Sequence, residues 1–290
     1  MKHRAFIYII LAGILWGTSG IFVHYLAPYG FTSLQMTFFR GLVSLIFMFI
    51  YVIFKDRRIF RIKPRELLLF VGSGTGFFGT ASCYYFAMQA TSVSTAVVLM
   101  YTAPVLVMIF SVAFLGEKLN FKKGLSVLCM IVGCGLVSGI IGGIKFNPLG
   151  IAMGFLSGIS YSAYNIFTKI GMRRGNHPLT ATFYCFAFST LLALFTCKPQ
   201  SIPENVAKAP ALTVILILAL GIFTCVLPYL LYTLALKTLP AGTASALSIV
   251  EPMAATVFSI ILFNEALSIA SAAGIILILG ATFILSRQEQ

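Results

Sequence analysis

Apolar runs of about twenty residues, parted by short polar breaks, recur along the whole chain. Ten can be marked, near 5–26, 34–54, 66–88, 93–115, 122–142, 148–169, 179–197, 211–236, 242–263 and 267–286. A helix rises 1.5 Å per residue, so roughly 20 apolar residues cross a hydrocarbon core of about 30 Å. The pattern predicts an all-α membrane protein with ten transmembrane helices. The breaks carry Pro, Gly or charge, as at Ala27-Pro28-Tyr29-Gly30 and Lys237–Ala241, and most are short enough to join antiparallel neighbours. Lys198–Pro210 is the longest break and reads as a surface loop. The N-terminal run shows no small-residue cleavage site before Pro28, so it reads as the first span and not as a signal peptide.

Of the 290 residues, 59% are hydrophobic and 9% are charged, too little polar surface for a soluble domain of this length. A formal net charge of +13 would suggest nucleic acid in a soluble protein. The placement of the charges argues otherwise. With the N-terminus inside, sixteen of the twenty Lys and Arg fall in cytoplasmic segments, Lys145, Lys198 and Lys208 fall opposite, and Arg40 lies within a span. That skew is a positive-inside signal with both termini cytoplasmic, and no nucleic-acid partner is expected. The six cysteines are scattered, mostly through apolar runs, without the spacing of a disulfide framework or a zinc site, and read as packing residues. His3, His24 and His177 are distant from one another near membrane edges, so no metal or other cofactor is expected.

The two halves of the chain resemble each other. Tyr84–Leu119 lies over Tyr232–Leu267 without a gap at an offset of 148, matching Tyr84 to Tyr232, Pro104 to Pro252 and Glu117 to Glu265. Gly13-Ile-Leu-Trp16 recurs as Gly158-Ile-Ser-Tyr161. The expected domains are residues 1–145 (first five spans) and 146–290 (last five). Five spans is an odd number, so the halves must insert with opposite orientation. Inverted repeats with interrupted helices near the midplane are a common plan of secondary transporters.

Several short motifs occur in a characteristic order. These are Trp16-Gly17 in the first span, Arg40 in the second, Pro104 followed by Gly116-Glu117, and Glu251-Pro252 followed by Asn264-Glu265. Together with the two five-span repeats they resemble the drug/metabolite transporter superfamily, specifically the EamA-type permeases, over nearly the whole chain. Asn264-Glu265 departs mildly from a second Gly-Glu. The resemblance implies a carrier of the bacterial cytoplasmic membrane, often an exporter of amino acids, other metabolites or drugs.

The candidate site residues follow from polar groups inside apolar runs. Across Gly242–Glu265, a helix puts Ala244, Ser248, Glu251, Ala255 and Ser259 on one small or polar face. A carboxylate at that depth costs several kcal/mol unless it faces a bundle interior, a wet cavity or a partner. Glu251 is therefore the candidate to couple transport to protons, to bind a substrate ammonium, or to anchor the bundle. Arg40 would either snorkel outward or pair inward with Glu251. Trp16, the single tryptophan, would stack on a substrate, gate the cavity or pack in the core, while His24 reads as interfacial. Ser157, Tyr161, Asn165 and Thr168 share a face, and an Asn in lipid must find a partner, either a neighbouring helix or a ligand. Tyr84 and its repeat mate Tyr232 are candidates for symmetric positions around the cavity, and Tyr101, close to Pro104, could also reach it. Pro104, Pro228 and Pro252 are expected to kink or interrupt their helices. The glycines of Gly72-Ser-Gly-Thr-Gly76 read as close helix packing, since a phosphate loop would need a Lys and a strand-to-helix context.

The sequence holds no Walker-type loop, no HExxH and no convincing Ser/His pair, which disfavours an ATP-driven pump or a hydrolase. The expected function is a secondary transporter of a small organic solute by alternating access, with the bilayer, the solute and protons as partners. An uncoupled facilitator or exchanger, which needs no titrating residue, stays open beside it. A membrane-embedded enzyme or lipid-handling protein is a distant third. One cavity suffices for a monomer, and a homodimer is equally compatible.

Overall fold

The computed structural model describes residues 2–289 apart from 56, 92, 119, 138–146 and 264–267, and the described residues contain no strand. The chain runs through α1 (Lys2–Gly17), α2 (Ser19–Leu26), α3 (Ser33–Lys55), α4 (Pro64–Ala90), α5 (Val93–Met100), α6 (Ala103–Leu115), α7 (Phe121–Val137) and α8 (Pro148–Arg173). It continues through α9 (Pro178–Thr196), α10 (Ile202–Ala207), α11 (Pro210–Gly221), α12 (Leu227–Leu236), α13 (Ala241–Leu247), α14 (Val250–Phe263) and α15 (Ile269–Glu289).

Among the described residues, seven helical runs are long and apolar enough to cross a membrane, and Ile269–Leu285 is a shorter apolar helix. The described part of α7 ends at Val137, and α8 carries Ser, Gly, Tyr and Asn along its length, which lowers its hydropathy. Residues 198–210, expected as a loop, contain α10. Its Asn205 is buried and donates through its amide to Gly30 O at 2.9 Å, tying the segment to the turn before α3. Pro203 fits the first turn, where a missing N–H is harmless.

Three runs expected as single helices are broken midway: at Thr18 between α1 and α2, at Tyr101-Thr102 between α5 and α6, and at Ser248-Ile249 between α13 and α14. Proline accounts for two of them, because it lacks an N–H and its ring crowds the carbonyl four residues back. Pro104 thereby leaves Met100 O without its ladder partner, and Pro252 does the same to Ser248 O, which accepts from Glu251 N at 2.9 Å instead. In the eighth run, Pro228 is preceded by a widened π turn at Ile222–Val226. The small face expected from Ala244 to Ser259 is consequently not continuous: Ala244 and Ser248 lie on or beside α13, whereas Glu251 begins α14. Asn264 and Glu265 lie outside the described residues.

The helix contacts come in pairs related by exchanging the halves. α4 packs along α8 as α12 packs along α1, and α8 meets α5 and α6 as α1 meets α14. Small residues bring these helices close. A Cβ placed on Gly76 would lie 2.8 Å from Ser160 O and Tyr164 N, so α4 meets α8 backbone to backbone. One on Gly17 would lie 2.8 Å from Ala254 Cβ, which sets the α1 break against α14.

Burial differs sharply between α13 and the far halves of α4 and α14. At the end rich in Lys and Arg, every residue from 241 to 250 is buried, with Leu236, Leu239 and Lys169. Toward the opposite end, none of residues 78–86 or 255–263 is buried. Nine consecutive residues turn through every face of a helix. The outer parts of α4 and α14 are therefore accessible on the faces turned into the bundle as well as on those turned outward. The bundle is closed around α13 and open along the far halves of α4 and α14.

Candidate functional site

Glu251 sits where this open crevice ends. It is the second residue of α14, directly before Pro252, and its own N–H is taken up by Ser248 O. Tyr101, at the break in the other half, donates from its hydroxyl to Glu251 Oε2 at 2.8 Å. Two helix breaks, one from each half, thus meet through a single hydrogen bond. Glu251 retains accessible surface although protein surrounds it, as expected of a group at the floor of a crevice. Tyr84 lies within electrostatic reach of it. Beside it, the hydroxyls of Tyr161 and Ser248 share a hydrogen bond at 3.3 Å.

Below this polar floor lies a box of rings. Trp16 meets Tyr229 edge-on at 4.9 Å and Tyr232 at 5.5 Å. Tyr229 also touches Phe77 (4.9 Å), Phe186 (5.4 Å) and Tyr164 (5.8 Å). Tyr232 donates to Asn165 Oδ1, while the Asn165 amide donates to Tyr161 O at 2.8 Å. The partner that an Asn in lipid requires is thus a tyrosine of a neighbouring helix. Trp16 Nε1 is buried and makes no hydrogen bond.

Arg40 does not form an ion pair with Glu251. Its Nη2 donates to Thr224 O at 3.1 Å. Thr224 is four residues before Pro228, and so is the carbonyl that this proline removes from the helix ladder. An exposed carbonyl in an apolar interior needs a donor, and Arg40 supplies it. The guanidinium stays within electrostatic reach of Glu251, Tyr229 and Tyr85, and its Nε has no partner.

At the basic end, polar contacts join the halves. Glu117 accepts from Ala241 N at 3.0 Å, Arg173 donates to Leu115 O at 2.6 Å, and Arg173 lies 3.8 Å from Glu117. Within the second half, Lys169 donates to Leu236 O and Leu239 O, holding the end of α12. Asn176 donates to Glu66 Oε2 at 2.8 Å.

Comparison with known proteins places this arrangement. Residues 3–139 and 148–287 each match the EamA-like transporter family. The chain belongs to that family. A protein of Archaeoglobus fulgidus named an uncharacterized transporter is 28% identical over 97% of this chain and 95% of its own length. One of Clostridium kluyveri, named likewise, is 26% identical over 97% of this chain and 92% of its own. A solved crystal structure superposes with a TM-score of 0.83 over 99% of both chains at 19% identity, which establishes the fold alone. This EamA-like chain is a multi-pass membrane protein with a transporter's role.

Of the residues singled out in the sequence of this EamA-like transporter, the structure brings Tyr101 and Glu251 into direct contact. It links Tyr161, Asn165 and Tyr232 in one hydrogen-bonded chain and sets Trp16 against Tyr232. Tyr84 stands apart from its repeat mate: Tyr232 is fully buried in the ring box, whereas Tyr84 faces the open part beside Tyr85. Tyr229, the centre of the ring box, and Thr224, the acceptor for Arg40, were not candidates. The signal for both is Pro228, one residue before the first and four after the second.

Proposed function

We propose that the protein is a secondary carrier of the bacterial cytoplasmic membrane that exports a small organic solute by alternating access. Ten spans in two inverted repeats, with both termini cytoplasmic, are the matching topology. The observation that carries this reading is the Tyr101–Glu251 contact at two broken helices, on the floor of a crevice open at one end only. Alternating access needs a midplane site that can be reached from one side at a time. The paired contacts with exchanged halves support a rocking motion about that site.

Glu251 at the floor, with Trp16 in the ring box below it and Arg40 within electrostatic reach, sets what a ligand must offer. Glu251 accepts hydrogen bonds, and Trp16 Nε1 and Arg40 Nε are donors without protein partners. A solute that carries both a donor, such as an ammonium, and an acceptor oxygen would satisfy them, with the rings supplying apolar contact. Glu251 is the group we assign to proton coupling.

The test is a thermal-shift screen of the detergent-solubilised protein against amino acids, nucleosides, carboxylates, sugars and cationic drugs. Hits are then assayed for flux in proteoliposomes with and without an imposed pH gradient. A ligand at 100 times its Kd adds about 2.7 kcal/mol of stability. The expected hit bears both donor and acceptor, weakens in Glu251→Gln, and moves against its gradient when protons flow. Wild-type flux and pH dependence in Glu251→Gln would refute the coupling role. Flux without any response to the pH gradient would favour an uncoupled facilitator or exchanger.

A further inference from the structure

We infer that the flank formed by α7 and α15 is a binding site for one anionic phospholipid of the leaflet at the basic end. A groove of about 460 Å³ runs between the two helices, bordered by Lys122, Leu125 and Cys129 on one and by Ile276, Gly280 and Ile284 on the other. It lies on the outer surface, apart from the crevice at Glu251. It runs along eight residues of α7 and twelve of α15, about 12–18 Å, comparable with the roughly 15 Å of one leaflet's hydrocarbon. Gly280 makes room along it: a Cβ placed there would meet nothing within 4 Å. The walls are almost wholly apolar, as an acyl chain requires.

The charge sits at one end only. Lys122 borders the groove, and Arg287 lies one turn beyond Ile284 with its guanidinium 4.9 Å over the Phe283 ring. Both belong to the end of the bundle where the chain concentrates its Lys and Arg. An apolar channel of leaflet length with cations at its headgroup end is complementary to a negatively charged headgroup on an acyl chain. A free phosphate would leave the apolar length unused. A zwitterionic lipid would gain little from Lys122 and Arg287. At the far end of the groove, α7 and α15 close together: a Cβ on Gly274 would lie 2.6 Å from Gly133 O. A lipid seated below that contact would hold the two helices as a unit.

The experiment is a thermal-shift and native mass-spectrometry titration of the full chain in detergent. The additives are phosphatidylglycerol, phosphatidylcholine and inorganic phosphate. Phosphatidylglycerol is expected to raise Tm and remain bound, with the other two well behind. Lys122→Gln should weaken its binding about fivefold, as for one basic residue at an anionic surface. Gly280→Phe, which fills the groove, should abolish the increment while leaving the lipid-free Tm near wild type. Equal stabilisation by phosphatidylcholine, or a phosphatidylglycerol shift that survives both substitutions, would overturn the assignment. So would a particle mass that halves in Gly280→Phe, which would make the groove a contact between two copies of the chain.

Discussion

Tyr101 and Glu251 show how one side chain can set the chemistry of another. The Tyr101 hydroxyl fixes one carboxylate oxygen at 2.8 Å, so the other oxygen is aimed by that contact. A hydrogen bond to a charged group is worth about 1.5–3 kcal/mol. In Tyr101→Phe, water from the open crevice can replace the hydroxyl, so the unliganded protein should melt within a few degrees of wild type. The ligand, which needs the carboxylate held in one orientation, should bind roughly tenfold more weakly, the equivalent of about 1.4 kcal/mol. Isothermal titration with the hit from the screen measures this. An unchanged Kd would mean that Tyr101 only packs. Trp16 offers a contrast. Its indole N–H is buried without a partner, and its ring is held by Tyr229 and Tyr232. Trp16→Phe should preserve most of the packing and lose the donor, with affinity falling for ligands that bear an acceptor oxygen and holding for those without one.

The helix breaks are the element-level feature on which the site depends, and prolines supply most of them. Pro252→Ala restores an N–H that can reach Ser248 O and extend α14 back toward α13. The expected result is a protein about as stable as wild type, because Pro252 lies in the first turn of α14, where proline costs little. Its transport should be severalfold slower, since Glu251 is displaced as the break heals. Pro228→Ala should likewise let a backbone N–H compete with Arg40 for Thr224 O. Paired measurements of Tm and initial flux decide the matter: a variant that loses stability and flux together would make the prolines merely structural. The sequence also shows how far such features can be read in advance. The apolar runs and the breaks at Pro104 and Pro252 were legible because each is written in neighbouring residues. So was the polar interruption at Glu251. The join between Tyr101 and Glu251 was not, because 150 residues separate them and only the packing of α6 on α13 closes the distance. Arg40 illustrates the same limit. Its charge invited a pairing with Glu251, but the stronger demand came from a carbonyl orphaned by Pro228, which no side-chain pattern records.

For the whole molecule, the asymmetry of burial implies a latch. The crevice is shut at the basic end, where Glu117 caps the first N–H of α13 and Arg173 ties Leu115 O to Glu117. These contacts cross between the halves, so the alternating access proposed above requires them to open. With Arg173 about half exposed, its ion pair with Glu117 contributes at most about 1 kcal/mol. The bonds to backbone groups add more, and together they are worth on the order of 1–2 kcal/mol. Removing them should shift the ratio of the two access states by about tenfold. In Glu117→Ala and Arg173→Ala, the amides of α13 should therefore exchange hydrogen faster, while those of residues 255–263 slow as the open end narrows. Such opposite changes at the two ends distinguish a shift between states from simple loosening, which would speed exchange at both. Faster exchange at both ends, or a fall in Tm with α13 unaffected, would leave these residues as ordinary surface contacts. Opposite changes would make the Glu117–Arg173 contact the element that holds the transporter in the state described here. Ligand binding at Glu251 would then act by weakening it.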